Sequence, residues 1–311
     1  MRFALTILGS ASATPTHGRN PTAQVLHVHD QNYLIDCGEG AQMRMLDYRI
    51  RRGNLNHIFI SHLHGDHYFG LFGLLNSFAL GGRREPLHLY CPVGLRPLLE
   101  AVWNALGSYE SPYPLYYHEI TNTETSYRLL ETEHVTVDTI PLRHGVPCTG
   151  FLFREQPALR TVLKEQIDAH GIEGKAILGI KRGGDHITPD GTTIPNAVLT
   201  IAPPPARSYA FCSDTEPAPA NSVQLAGVDL MYHEATFLAS DTTRARETNH
   251  STAAEAAEIA SAANVGQLLI GHFSARYKNL DGHLAEAQAI FPRTALALEG
   301  MVFEVERKSN I

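Results

Sequence analysis

The chain has 311 residues, 43% of them hydrophobic and 18% charged, a globular composition that excludes a disordered or linker-dominated polymer and is ample for a buried core. With 25 Lys and Arg against 32 Asp and Glu, the formal charge is −7. No global basic field therefore draws the protein onto nucleic acid or an anionic membrane, and a polyanionic partner must be met by a local patch or a metal.

The elements read as follows in chain order. Residues 3–8 mimic the core of a signal peptide, but six apolar residues interrupted by Thr6 are too short for one, and the run reads as a first strand. Residues 24–29 and 32–36 form a hairpin with Asp30-Gln31 in the turn. Residues 57–61 are a strand. Residues 68–80 are a helix, apolar all round and so expected to be buried. A strand at 87–90 and a helix at 94–105 follow, and 135–141 alternates as a strand does. Residues 154–197 hold two Gly-Ile turns, six basic and six acidic residues, and few apolar side chains. They are expected to form an inserted arm without a core of its own. Residues 208–212 and 229–232 are strands. Residues 252–263 are a helix opened by Thr252 and Glu255 as a capping box. A strand at 267–271, a short helix at 283–290 and a last strand at 297–305 complete the chain. No apolar run approaches the ~18 residues of a membrane span. Cys37, Cys91, Cys148 and Cys212 lie apart with no C-x-x-C pair, which fits a reducing, cytoplasmic compartment better than a disulfide framework.

Histidine is the outlier, at 17 residues, and imidazole is both the commonest metal ligand and the near-neutral acid and base. Three histidines and an aspartate fall together in Ser61-His62-Leu63-His64-Gly65-Asp66-His67. A strand delivers the chain to this loop, alternate residues 62 and 64 point the same way, and Asp66 and His67 open the next helix. The loop can thus offer two pairs of ligands to two neighbouring cations. His144, Asp214 and His272 each sit just past the end of another strand, where open α/β sheets gather their sites. Five His and two Asp without a thiolate suit zinc, with manganese or iron as substitutes. A carboxylate such as Asp214 can bridge two ions ~3.5–4 Å apart.

The H-x-H-x-D-H run with its downstream His, Asp and His resembles the metallo-β-lactamase superfamily. More narrowly, the chain resembles the short-form ribonuclease Z family, the tRNA 3′-endonucleases. The resemblance extends through Leu34-Ile35-Asp36-Cys37-Gly38-Glu39-Gly40, His233-Glu234-Ala235-Thr236-Phe237, His250-Ser251-Thr252-Ala253 and Gly271-His272-Phe273-Ser274-Ala275-Arg276-Tyr277. Ala41 and Phe72 depart from the residues usual at their positions, Thr and Pro. The resemblance implies an αββα sandwich, two mixed sheets packed face to face with helices outside. It implies one domain over 1–311, with 154–197 as a projecting, substrate-gripping arm. It also implies two Zn2+ per subunit, one held by His62, His64 and His144, the other by Asp66, His67 and His272, with Asp214 bridging. Asp66 would orient or deprotonate the attacking water, and His250 would protonate the leaving 3′-oxygen. Glu234 would orient His250 or a metal ligand. The implied substrate is precursor tRNA, cut 3′ of the discriminator nucleotide to leave a 3′-hydroxyl and a 5′-phosphate, by a homodimer. Lys181 and Arg182 are candidate RNA contacts, as are the arginines at 49–52 and 83–84. Two other readings stay open: a small-molecule hydrolase of the same fold acting on a phosphodiester, lactone or thioester, and a non-catalytic RNA-binding relative.

Overall fold

The protein is described from a computed structural model that covers residues 2–105, 107 and 111–307. The chain starts with three antiparallel strands, β1 (Phe3–Gly9), β2 (Ala23–Val28) and β3 (Gln31–Cys37), followed by helix α1 (Ala41–Asp47). Next come β4 (Leu55–Phe59), α2 (Gly65–Leu80), β5 (Leu87–Pro92), α3 (Leu95–Ala105) and β6 (Leu115–Ile120). Strands β3 to β6 run parallel, so each helix between them is a crossover. The chain then forms β7 (Arg128–Glu131), β8 (Val135–Pro141) and β9 (Thr149–Glu155).

Residues 155–207, with Glu306 and Arg307, form a second compact unit. It contains β10 (Thr161–Val162), α4 (Lys164–Ala169), α5 (Lys175–Lys181), β11 (His186–Ile187), β12 (Thr193–Ile194), α6 (Asn196–Leu199) and β13 (Thr200–Ile201). Contrary to the expectation from composition, this unit has a small core: Ile167, Ile172, Ile180, Ile194 and Leu199 are buried together. These five turn inward while Leu159, Leu178, Ile187, Val198 and Ile201 stay exposed, and the buried Asn196 ties the unit by donating to the Ile180 and Gly184 carbonyls.

The first unit resumes with β14 (Ser208–Cys212), β15 (Leu230–Glu234), α7 (Thr242–Glu247), α8 (Ala253–Ala262), β16 (Gln267–Gly271), α9 (Asp281–Ile290), β17 (Thr294–Leu296) and β18 (Val302–Glu304). Thr252 caps α8 in a capping box with Glu255. The strands form two seven-stranded mixed sheets, ordered β18-β1-β2-β3-β4-β5-β6 and β17-β16-β15-β14-β9-β8-β7.

Three buried clusters define the layers. Phe3, Leu5, Tyr33 and Phe59 of the first sheet pack with Val137, Phe153, Phe211 and Tyr232 of the second. On its other face the first sheet packs on α1, α2 and α3 through Leu34, Ile58, Leu89, Met45, Leu71 and Leu99. The second sheet packs on α8 and α9 through Leu152, Ala210, Met231, Ala256 and Ala287. The result is helices, sheet, sheet, helices. Strands covered on both faces need no polar side, which explains continuous runs such as 3–9.

The sequence reading placed β4 two residues late and left α1, β6, β7 and β9 unmarked, and two further elements differ in kind. Helix α2 begins three residues earlier and is not buried all round, because residues 69, 73, 76 and 80 face outward. The run 297–305 is not one strand. Ala297 N–H still bonds to Ile270 in the second sheet, whereas β18 pairs with β1 in the first. Gly300, at φ 81°, turns the chain from one sheet to the other.

Candidate metal centre

The site lies where the C-terminal ends of strands from both sheets meet. His62 follows β4, His144 follows β8, Asp214 follows β14 and His272 follows β16, while Asp66 and His67 occupy the first turn of α2. All seven residues singled out as ligands come together in two overlapping groups, His62-His64-His144-Asp214 and Asp66-His67-Asp214-His272. In the first group His64 Nδ1 stands 3.1 Å from His62 Nε2 and 3.2 Å from His144 Nε2. Asp214 Oδ2 is 3.6 and 3.8 Å from the same Nε2 atoms. In the second, Asp214 Oδ1 lies 3.4 Å from His67 Nε2 and 3.2 Å from His272 Nε2. Asp66 Oδ2 is 3.4 Å from both. One oxygen of Asp214 therefore faces each group.

Hydrogen bonds behind the imidazoles decide which nitrogen is free. His67 Nδ1 donates to Asp36 Oδ2 at 2.7 Å and His144 Nδ1 to the Asn249 carbonyl at 2.9 Å. The Thr236 hydroxyl donates to Glu234 Oε2, so it accepts from His272 Nδ1 at 2.9 Å. Likewise the Ser61 hydroxyl donates to Asp36 and accepts from His62 Nδ1 at 3.0 Å. Each of these four rings then carries its proton on Nδ1 and aims a bare Nε2 lone pair into the site, the orientation that metal-binding imidazoles adopt.

The donor set fits divalent cations on two further observations. Nitrogens 2.0–2.1 Å from a tetrahedral zinc would be about 3.3 Å apart, close to the spacing of the first group. His67 Nε2 and Asp214 Oδ1 are buried without any hydrogen-bond partner, a costly arrangement unless a cation meets them. The charges agree. Burial works against charge on His67, yet Asp214, Asp36 and Asp66 hold its pKa well above the ordinary value, so a proton takes the Nε2 place unless a cation does. Burial also opposes charge on Asp214, yet His272, His67 and His62 hold its carboxyl far below the usual range. Burial, reinforced by His67, keeps His62 neutral. A cluster of three buried or half-buried carboxylates calls for positive charge.

His250 sits between α7 and α8 on the wall of the same cavity, a pocket of about 720 Å³ that also exposes His64, Asp66, His144, Asp214 and His272. Glu234, fully buried at the end of β15, anchors it. Glu234 Oε1 accepts from His250 Nδ1 at 3.0 Å, Ser251 N–H at 2.8 Å and Thr215 N–H at 3.2 Å. Its Oε2 accepts from the Thr236 N–H and hydroxyl. Burial alone would lower the His250 pKa, but the Glu234 charge and hydrogen bond outweigh it and push it up to about 9. Glu234, His250 and His272 also form a compact grouping. With five donors already on its two oxygens, Glu234 acts there as an anchor, not as a cation ligand. Of the other candidates, Lys181 and Arg182 lie at the C-terminal end of α5 in the second unit.

Sequence reasoning missed Asp36, Thr236 and Asn249 as groups that hold the ligand histidines. The backbone carries a sign of their role. Ala13, Asp36, Asn249 and His272 are four of only seven described non-glycine residues at positive φ, and all four touch or line this site. Strained conformations concentrate where the surrounding structure over-determines them. Ala13 N–H, held this way, donates to Asp66 Oδ2 at 2.8 Å.

The fold and its histidine-rich centre are those of a metallo-β-lactamase-fold hydrolase. The structure resembles human tRNase Z, short form, with a TM-score of 0.72 and 25% identity over 97% of this chain and 99% of that one. It shares its fold with the protein YhfI of Bacillus subtilis, at a TM-score of 0.67. The family model described as Anti-Pycsar protein Apyc1 matches residues 3–160, which carry the first five ligands and stop before Asp214, His250 and His272. Over nearly its full length the chain is 47% identical to ribonuclease Z of Bacteroides fragilis, covering 96% of this chain and 98% of that protein. It is 46% identical to ribonuclease Z of Bacteroides thetaiotaomicron, covering 99% and 97%. The chain belongs to the ribonuclease Z family.

Proposed function

We propose that the protein is a two-metal endoribonuclease that cuts precursor tRNA immediately 3′ of the discriminator nucleotide, leaving a 3′-hydroxyl on the tRNA and a 5′-phosphate on the trailer. The observation that carries this reading is Asp214 facing two ligand groups at once, with His250 held by Glu234 on the wall of the same cavity. His62, His64 and His144 would hold one Zn2+, and Asp66, His67 and His272 the other; Mn2+ or Fe2+ could substitute. When bound, the pair of ions supplies a nucleophile at neutral pH and neutralises charge on the phosphoryl oxygens.

The chain's own residues do the rest. Asp66, fixed by the Ala13 N–H, orients the attacking water and accepts its proton. His250 engages Glu234 through Nδ1, which leaves Nε2 as the nitrogen that gives a proton to the departing 3′-oxygen. Its raised pKa keeps that proton in place at neutral pH. Residues 154–197 serve as the substrate-gripping arm, with Lys181 and Arg182 meeting RNA phosphates, because a chain of net charge −7 binds a polyanion only through local patches. The working form is a homodimer in which one subunit's arm holds RNA for its partner's site. A cytoplasmic location is supported by four free, buried cysteines.

Incubation with a precursor tRNA, with and without chelator, followed by mapping of both product ends, tests the reading. A single metal-dependent cut after the discriminator is expected. Turnover of a small phosphodiester with no cut in the RNA would favour the small-molecule hydrolase instead.

A further inference from the structure

One residue on the cavity wall is neither a ligand nor a ligand holder. Phe69 is 57% exposed, although its neighbours Tyr68 and Leu71 on α2 are buried. Its ring lines the cavity beside His64, Asp66 and Glu39. The ring rests against the backbone of Gly65, the residue between the ligands His64 and Asp66. A Cβ at Gly65 would stand only 2.3–2.8 Å from three of the ring's carbons, so glycine is what lets the ring lie there. The Tyr68 ring meets it edge-on, with centroids 5.0 Å apart and planes at 68°. On the next residue, a Cβ at Gly70 would lie 2.2 Å from the Gly38 carbonyl oxygen. That close contact fixes the rotation of α2 and so aims position 69 at the cavity. Phe69 is thus a rigid aromatic surface seated on the ligand loop, and the one aromatic ring other than histidine on the cavity's lining.

Resting on the ribonuclease reading, we propose that Phe69 is a stacking platform for one of the two nucleobases that flank the scissile phosphate. A phosphodiester seated on the ligands carries a nucleoside on each side, within reach of a ring that touches the ligand loop. Base–aromatic stacking accepts every base, since each presents a π face. It therefore positions the strand without reading its sequence, which suits an enzyme acting on many tRNAs. Phe69 is a positioning residue of the binding step; the metal ligands and His250 do not depend on it.

The test compares wild type with Phe69→Leu and Phe69→Trp. Leucine keeps apolar volume and helix propensity but removes the π face, whereas tryptophan retains one. Steady-state cleavage is measured on intact precursor tRNA and on the same RNA carrying an abasic nucleotide at either flanking position. Zinc content and molecular mass are recorded for every variant. Phe69→Leu is expected to lower kcat/KM on intact RNA by roughly 5- to 150-fold, mainly through KM. Phe69→Trp should stay within a few-fold of wild type. One of the two abasic substrates should be cut equally by wild type and Phe69→Leu. The platform is overturned if Phe69→Leu cuts intact RNA as wild type does, if its defect persists on both abasic substrates, or if the defect follows lost zinc or a changed assembly mass. A wild type that leaves intact precursor uncut overturns the ribonuclease reading, and the platform with it.

Discussion

Asp36→Asn probes the support beneath the metal ligands. Asp36 is fully buried and left-handed at φ 54°, a conformation that Asn tolerates as well as Asp. The substitution therefore changes the head group and little else. Oδ1 accepts the Ser61 N–H at 2.8 Å, while Oδ2 accepts the Ser61 hydroxyl at 2.9 Å and His67 Nδ1 at 2.7 Å. An amide has one oxygen for these two places. If the amide oxygen takes the Oδ2 place, its NH2 confronts the Ser61 N–H, and a buried donor left unpaired costs ~1–3 kcal/mol. If the NH2 takes the Oδ2 place, His67 must move its proton to Nε2, the nitrogen aimed at the cation. Losses of 10- to 100-fold in metal affinity are usual when such a partner is removed, which corresponds to ~1.4–2.7 kcal/mol. Zinc retention across buffers of defined free zinc is the assay, with RNA cleavage followed in the same buffers. We expect one of two equivalents to bind 10- to 100-fold more weakly, with the rate recovering in excess zinc. Unchanged retention of both equivalents, with full rate at limiting zinc, would refute the reasoning.

His250→Ala should keep metal content and RNA affinity while kcat falls about 10²- to 10⁴-fold, the usual worth of a positioned general acid; loss of metal would show that the residue holds the site and not the proton. Replacing residues 155–207 by Asn-Gly is expected to leave the first unit folded, because Arg154 and Ser208 are direct partners in the β9–β14 ladder and a two-residue turn closes such a pair. That variant should lose precursor tRNA cleavage and keep hydrolysis of an activated small phosphodiester, and loss of both activities would count against a purely substrate-gripping role. His57 provides a pH test away from the metals. Burial first, then His88 and His118, push its pKa down to about 4, below the ~6.5 of an unfolded histidine. The unfolded chain thus binds the proton more readily than the folded one, so stability is complete above pH ~6.5 and falls, by at most about 3 kcal/mol, as pH drops toward 4. In metal-free protein, Phe at position 57 should flatten that decline in urea midpoints, and parallel curves for the two proteins would contradict it.

Strand placement was legible wherever a side-chain pattern is local: 135–141, 208–212 and 267–271 emerged with the expected bounds. The Thr252–Glu255 cap was equally plain because both of its partners lie within one turn. The outward stripe of α2 was not, since an apolar helix exposes a face only where no neighbour covers it. The break at Gly300 was hidden too, because residues 297–305 look alike whether they pair with one sheet or pass between two.

The candidate ligands stood out because metal binding restricts residue type, and His and Asp crowded into 62–67 have no packing use. The groups that hold those ligands were not visible. Asp36, Thr236 and the Asn249 carbonyl act through contacts spanning 31, 36 and 105 residues, and a single Asp, Thr or backbone oxygen carries no such signal along the chain. Composition and spacing thus determined which side chains could bind a cation. Only folding decided which of their nitrogens face it, because a proton's place on imidazole is set by whichever distant segment comes to rest behind the ring.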